Sequence, residues 1–258
     1  MDVIAHRGAR RLAVENTIEA LRIAYEEGAD GVEFDVQISA DGELFSFHDE
    51  HLGQWTGKAD AVQAMSWREL RRLELRDRHG HVGQVAHFDE VVELVSGRGG
   101  LVNAELKVAP GQPDSAMRLA DVFAERLQVI DHGAWLVSSF HRSTLERLQS
   151  LGLEVGLAAL VDDDPACSWW SLADNETDDD EGAQTGVDGL RAVHPHGLLA
   201  TESRCRRWRH ADLRIHPWTI NEPQHWQHFL EMGVDGLISD DPGGLRRHID
   251  RSGGTRRA

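Results

Sequence analysis

Short β-rich runs alternate with amphipathic helical patterns along the whole chain, and this alternation limits the fold more than any other feature. Eight runs read as strands: Val3–His6, Gly31–Gln37, Leu101–Lys107, Ala134–Ser139, Glu154–Val161, Leu190–His194, Leu213–Thr219 and Gly236–Ser239. Between many of them lie helical segments with legible ends. Asn16-Thr17 can cap a helix running to about Glu27, with Gly28 near its stop. Ser143–Gln149 and Pro223–Met232 are each followed by a glycine, Gly152 and Gly233, of the kind that ends a helix in a left-handed turn. Eight successive units point to an α/β fold of the (β/α)8 TIM-barrel type, with an open doubly wound sheet as the simpler alternative. The 258 residues suit one such barrel, read as residues 1–250 with a polar tail at 251–258.

Two stretches interrupt the alternation. From about Ala40 to Gly100 the connection is too long for a simple βα loop. Asp41-Gly42 signals a tight turn, Leu44–His48 reads as a short antiparallel return strand, and Ser66–Leu75 and Asp89–Val95 read as helices. We therefore expect a small inserted subdomain at 40–100. The second stretch, 174–186, is strongly acidic, has no apolar face and reads as a solvated loop. It lacks the ligand spacing of an EF-hand.

Composition narrows the setting. Hydrophobic residues make up 40% of the chain, enough for a sizeable core. No apolar run approaches the roughly 18 residues that span a bilayer, and Met1–Gly8 has no secretory pattern. Cys167 and Cys205 are too few for a disulfide framework. A reduced cytoplasmic protein without stable membrane insertion is expected, its oligomeric state open. Of the net charge of −17, nine acidic residues lie between Asp162 and Glu181. An acidic chain repels nucleic acid at long range, so the expected partner is a small molecule. An anionic one would need a local cationic site, above all a metal ion.

The chemistry sits at strand ends. In Gly31–Gln37, alternation puts Val32, Phe34 and Val36 on one face and Glu33, Asp35 and Gln37 on the other. In a barrel the apolar face meets the outer helices and the carboxylates point inward, where their repulsion and desolvation are relieved by a bound cation. A surface strand with one polar face would show the same pattern. Leu101–Lys107 repeats it with Asn103, Glu105 and Lys107. Three carboxylates without sulfur describe a site for Mg²⁺ or Ca²⁺; Lys107 either binds an anion or neutralises Glu105. His6 ends the first strand and His48 the return strand, so both would face the carboxylates. Two imidazoles flanking a phosphodiester can serve as general base and general acid. Arg7 can bind phosphate oxygens, and Gly8 lets the backbone approach a ligand.

The ordered set His6-Arg7-Gly8, Glu15-Asn16-Thr17, Glu33-Phe34-Asp35-Val36, His48-Asp49 and Glu105-Leu106-Lys107 resembles the glycerophosphodiester phosphodiesterase family. Ser138-Ser139-Phe140, His194-Pro195-His196, Trp218-Thr219-Ile220-Asn221, Gly233-Val234-Asp235-Gly236 and Asp240-Asp241-Pro242 extend the likeness over nearly the whole chain. The resemblance implies a TIM barrel with an insertion after the second strand. It implies that His6 and His48 are the acid–base pair, that Glu33, Asp35 and Glu105 hold one divalent cation, Mg²⁺ or Ca²⁺, and that Arg7 and Lys107 contact phosphate. Trp218 would line the glycerol or alcohol side of the pocket, or pack in the core. Glu15 and Asn16 are expected to organise the first loop, Ser139 and His194 to line the pocket, and Asp235 to shape the turn before the last strand.

The implied reaction is metal-dependent hydrolysis of a glycerophosphodiester to sn-glycerol 3-phosphate and an alcohol. Two departures bear on substrate. After His48-Asp49, Gln54 or Trp55 stands where the family often has a basic residue, and the acidic stretch before His194 is an addition. Lysophospholipase D activity, a metal-free glycosidase with paired carboxylates and a noncatalytic phosphate- or metal-binding barrel are the competing readings.

Overall fold

The computed structural model describes residues 1–108, 113–130, 133–163, 169, 187 and 189–253. The chain begins with β1 (Asp2–His6), α1 (Ile18–Glu26), β2 (Gly31–Ile38) and β3 (Leu44–Ser46). Short elements follow: α2 (Gly53–Thr56), α3 (Trp67–Leu70), β4 (Leu75–Arg76), β5 (Val82–Gly83) and β6 (Ala86–His87). The alternation then resumes with α4 (Phe88–Val95), β7 (Leu101–Leu106), α5 (Pro113–Leu127), β8 (Trp135–Ser139), α6 (Arg142–Ser150) and β9 (Gly156–Val161). It ends with β10 (Leu190–Pro195), α7 (Glu202–His210), β11 (Arg214–Ile215), α8 (Pro223–Met232), β12 (Gly236–Ser239) and α9 (Pro242–Arg251).

Parallel strands run in the order β12, β1, β2, β7, β8, β9, β10, β11. Irregular backbone hydrogen bonds join the two ends. Asp235 N–H reaches Ile215 C=O at 3.1 Å, Ile238 N–H reaches Pro217 C=O at 3.0 Å, and Ile220 N–H reaches Ile238 C=O at 3.0 Å. The Asp235 carboxylate adds a bond from Ile215 N–H at 3.0 Å. The fold is a TIM barrel. Its seventh strand is shorter than the expected Leu213–Thr219, because Pro217 has no N–H to give a regular ladder. The expected helix at Ser66–Leu75 is also shorter. It stops at Leu70, and the chain turns to bury Leu75 among Val14, Phe45, Phe47 and Leu52. The acidic stretch 174–186 and the tail beyond Gly253 lie outside the described residues. Among the described residues no helix is long and apolar enough to cross a membrane.

Strand alternation sorts the two faces of the barrel. Val32, Phe34 and Val36 point outward into the main core with Val102, Ala104, Val137, Ala159 and the helices. Phe34 packs edge-on against Trp135 at 6.1 Å and beside Phe88 of α4 at 6.4 Å. Each such buried side chain contributes roughly 1.5–3 kcal/mol. Inside the barrel, Ile4, Leu101, Leu136, Ala158, Ala192 and Ile238 form an apolar layer. Two residues further along, the same inward face carries His6, Glu33, Asn103 and Asp240. The apolar layer seals the barrel floor, so polar groups collect at the C-terminal ends of the strands, where barrels of this type carry their sites.

One buried ion pair ties the last helix to this frame. Arg246 of α9 pairs with Asp30, which also accepts Val3 N–H at 2.9 Å, and Arg246 Nε donates to Gly28 C=O at 3.0 Å. Arg246→Ala should lower the unfolding free energy by about 2–3 kcal/mol, since it leaves Asp30 without a counter-charge and the Gly28 carbonyl without its side-chain donor. Urea denaturation measures this, and an unchanged midpoint would show that the pair contributes nothing.

Candidate active site

The loop after β1 opens on two positive-φ residues, Arg7 at 55° and Gly8 at 80°, and has a third near its end, Asn16 at 59°. A Cβ on Gly8 would lie 2.5 Å from the Ala20 carbonyl carbon, so only glycine lets the loop fold onto the start of α1. Thr17 caps that helix, its hydroxyl accepting Ala20 N–H at 3.2 Å. Folding back brings Glu15 and Asn16 over the barrel mouth. Asn16 Nδ2 donates to Asp35 Oδ2 at 2.7 Å, while its Oδ1 accepts Asp35 N–H at 3.0 Å. Asn16 therefore positions Asp35, a role beyond the loop-organising one its sequence context suggests.

Register sets the next contacts. His6 lies beside Glu33 across β1 and β2, and Asp35 beside Glu105 across β2 and β7. Oxygen atoms of Glu33, Asp35 and Glu105, all buried, come within 4.8 Å of one another. Glu33 Oε1 and Asp35 Oδ1 are buried and accept no hydrogen bond from any described residue. Around them Arg7 N–H donates to Glu33 Oε2 at 2.9 Å, and the Arg7 guanidinium sits 2.7 Å from Glu15 and 3.2 Å from Asp35. Lys107 Nζ stands 2.8 Å from Glu105 and 3.9 Å from Asp35.

Charge follows from this crowding. Burial, then Asp35 and Glu105, push the Glu33 carboxyl well above the usual carboxylate range. Burial acts on Asp35 in the same direction, but Arg7, Lys107 and His48 hold it well below its ordinary value. Burial also opposes the charge on Lys107, yet Glu105 and Asp35 raise its affinity for the proton.

The two histidines are held alike. His6 Nδ1 is 2.7 Å from Asp240 Oδ1, and His48 Nδ1 is 2.8 Å from Asp49 Oδ1. Each Nδ1 is engaged, which leaves Nε2 as the nitrogen for chemistry. Burial lowers the His6 pKa, with Asp240 working against that shift. Asp240 itself, despite burial, is held at about 2 by His6, Arg10 and Asn221. Gln37, the third inward residue of β2, fixes the chain at His48: its Nε2 donates to the carbonyls of Phe47, His48 and Asp49 at 2.8, 3.2 and 3.0 Å. Gln54 and Trp55, which stand where a base is common, both donate to Asp49.

A cavity of about 170 Å³ is lined by His6, Arg7, Glu33, His48, Glu105, Lys107 and Trp218, with Asn103 and Phe140. Asp35 lies just behind Arg7 and Lys107. Phe140 and Trp218 meet edge-on at 5.6 Å, and Lys107 Nζ is 5.7 Å from the Phe140 ring, so one wall is aromatic. Trp218 is oriented by its indole N–H on the His194 carbonyl at 2.8 Å. Ser139 and His194 are not on the cavity wall. Ser139 donates to Leu106 C=O, and His194 is buried against His216 at 3.0 Å. Sequence reading assigned no role to Asp240, Asp49 or Gln37. The strand-end position of Asp240 and the alternation of Gln37 with Glu33 and Asp35 are the signals that mark them.

Similarity to known proteins agrees with this geometry. The model of the glycerophosphoryl diester phosphodiesterase family matches residues 6–244. The chain is 28% identical to a glycerophosphodiester phosphodiesterase of Caldanaerobacter subterraneus subsp. tengcongensis, over 97% of this chain and 98% of that one. It is 30% identical to one from Bacillus altitudinis, over 93% of this chain and 94% of that one. An Oleispira antarctica phosphodiesterase solved with the product sn-glycerol-3-phosphate superposes with a TM-score of 0.82 at 25% identity, covering 97% of each chain. The Thermotoga maritima glycerophosphodiester phosphodiesterase shares the fold, with a TM-score of 0.75 at 23% identity over 96% of this chain and 98% of that one. The chain belongs to the glycerophosphoryl diester phosphodiesterase family.

Proposed function

We propose that this protein hydrolyses glycerophosphodiesters to sn-glycerol 3-phosphate and an alcohol, using one divalent cation and the His6–His48 pair. The observation that carries this reading is the meeting, in one cavity, of three buried carboxylates with two imidazoles that are each held at Nδ1 by an aspartate. Family membership and the product bound by the Oleispira relative support the substrate class.

The donor set fits Mg²⁺ or Ca²⁺. Glu33, Asp35 and Glu105 offer oxygen alone, and the unpartnered Glu33 Oε1 and Asp35 Oδ1 are what a hard cation takes up. When bound, the cation supplies neutralisation of charge on a non-bridging phosphate oxygen. The chain does the rest. Arg7 and Lys107 bind the phosphate, and their ion pairs with Glu15, Asp35 and Glu105 hold them in place before substrate arrives. Trp218 and Phe140 give the glycerol an apolar wall. One imidazole takes at Nε2 the proton of the nucleophile, which forms the new bond to phosphorus and is either water or the glycerol 2-hydroxyl, whose cyclic phosphate water then opens to glycerol 3-phosphate. The other gives a proton from Nε2 to the departing alkoxide, so the bond from phosphorus to the alcohol breaks without a free alkoxide forming.

His6→Ala and His48→Ala should each depress release of glycerol 3-phosphate by roughly 10²–10⁴-fold while the protein stays folded. Near-normal turnover in both variants would sink the acid–base assignment. EDTA should abolish release from glycerophosphocholine, and added Mg²⁺ or Ca²⁺ should restore it; turnover that survives chelation would remove the cation from the mechanism.

Asp240 links the site to stability. Its folded pKa of about 2 lies below the roughly 3.9 of an unfolded aspartate, so its contribution is present above pH ~4 and is lost as pH falls to ~2. The stability gap between the wild type and Asp240→Asn should be about 2 kcal/mol at neutral pH and shrink towards zero over that window. A gap independent of pH would mean that the carboxylate charge is not what matters.

A further inference from the structure

A cleft of about 580 Å³ continues the site outward and shares Arg7 and His48 with the inner cavity. Its wall is balanced in charge where the chain as a whole is acidic, since Arg7, Arg10, Arg11, Arg76 and Arg78 offset Glu15, Asp49, Asp77, Glu222 and Asp240. Arg10 and Arg11 come from the loop after β1, and Arg76 and Arg78 from the hairpin of β4 and β5. That hairpin is docked on the same loop: a Cβ on Gly83 would come within 2.9 Å of the Thr17 methyl, and Leu75 is buried beside Val14. Two arginine-bearing segments are thus held together at the mouth.

The carboxylates of the wall, the exposed Glu222 apart, are occupied inward. Glu15 serves Arg7 and Arg10, Asp49 serves His48 and Trp55, and Asp240 serves His6 and Asn221. Asp77 accepts the N–H groups of His79 and His81. Arg10 is held between Glu15 and Asp240, whereas the guanidiniums of Arg11, Arg76 and Arg78 face outward. Arg11 is 48% exposed and pairs with the partly buried Asp241, which also caps the last helix, and Arg76 is 63% exposed and pairs with the surface carboxylate Glu74, an ion pair that contributes little and yields readily to a stronger anion. Arg78 is exposed and donates to the imidazole of His79. A quaternary ammonium would call for open aromatic faces. The aromatic ring of this wall, Trp55, is buried, with its indole N–H committed to Asp49. A rival cleft of about 560 Å³ leaves on the other side of His48, past Glu50, His51 and Gln63, with no arginine among its lining residues.

We propose that the arginine-lined cleft receives the alcohol part of the diester and selects alcohols bearing a second anionic group, such as a phosphorylated polyol, over neutral or cationic ones. This rests on reading the inner cavity as a glycerophosphodiester site. Guanidinium forks match phosphate oxygens, and a cluster of them concentrates such a ligand against the repulsion of an acidic protein.

The test compares kcat/KM for three diesters on the full chain at matched free Mg²⁺: glycerophosphoinositol phosphate, glycerophosphoglycerol and glycerophosphocholine. The phosphorylated headgroup should be preferred by about tenfold or more, as expected for a pair of charge-assisted contacts. The preference should fall to near parity in the Arg76→Ala, Arg78→Ala double variant, whose exposed positions leave the fold intact, and should weaken in high salt. Equal or poorer turnover of the phosphorylated diester overturns the proposal. So does a preference that the double variant retains, which would send the alcohol through the other cleft. If folded, metal-supplemented wild type turns over none of the three, the reading of the inner cavity falls instead.

Discussion

Three carboxylates within 4.8 Å of one another in the interior of a barrel are the constraint around which this molecule is arranged. Left alone they would repel, and burial would drive protons onto them. The surrounding structure answers with Arg7 from the first loop, Lys107 from the end of β7 and the amide of Asn16. The inner apolar layer of Ile4, Leu101, Leu136 and Ile238 keeps this charge at one end. Even so, one oxygen of Glu33 and one of Asp35 stay without a hydrogen bond from the described residues, which is a state a folded protein tolerates where a ligand completes the site.

The same economy governs the imidazoles. His6 and His48 come from different segments, yet each has an aspartate on Nδ1. An imidazole held this way has one orientation and one nitrogen left, which is the arrangement that the proposed proton transfers require. The supports are themselves supported: Asn221 donates to Asp240, and Trp55 donates to Asp49. The loop after β1 joins these systems, since it carries Arg7, Glu15 and Asn16 and provides the surface on which the β4–β5 hairpin rests. One loop thus carries Arg7 and touches both the carboxylate cluster and the outer cleft.

Much of this was legible in particular residues. The alternation in Gly31–Gln37 separates Val32, Phe34 and Val36 from Glu33, Asp35 and Gln37, and the folded barrel keeps that separation, with the first set against the helices. The return strand after Asp41-Gly42 appears as β3, antiparallel to β2. Pro217 and Leu75 show where local reading stops: a proline that interrupts a ladder and a leucine drawn into a nearby cluster each shortened an element that propensity alone extends. Ser139 and His194 show the same limit at the site. Both sit near strand ends, but their hydrogen bonds turn them into the body of the barrel.

The sequence by itself determined the repeating units, the inward direction of the carboxylates and the set of candidate site side chains, because strand periodicity and residue chemistry are local properties. Only the tertiary structure decided which groups meet. Asp240 lies 234 residues from His6, and Asn16 lies 19 from Asp35. No local pattern encodes such pairings. They arise when barrel closure sets the stagger of neighbouring strands and brings the first and last of them side by side, so that charge separated along the chain shares one buried volume.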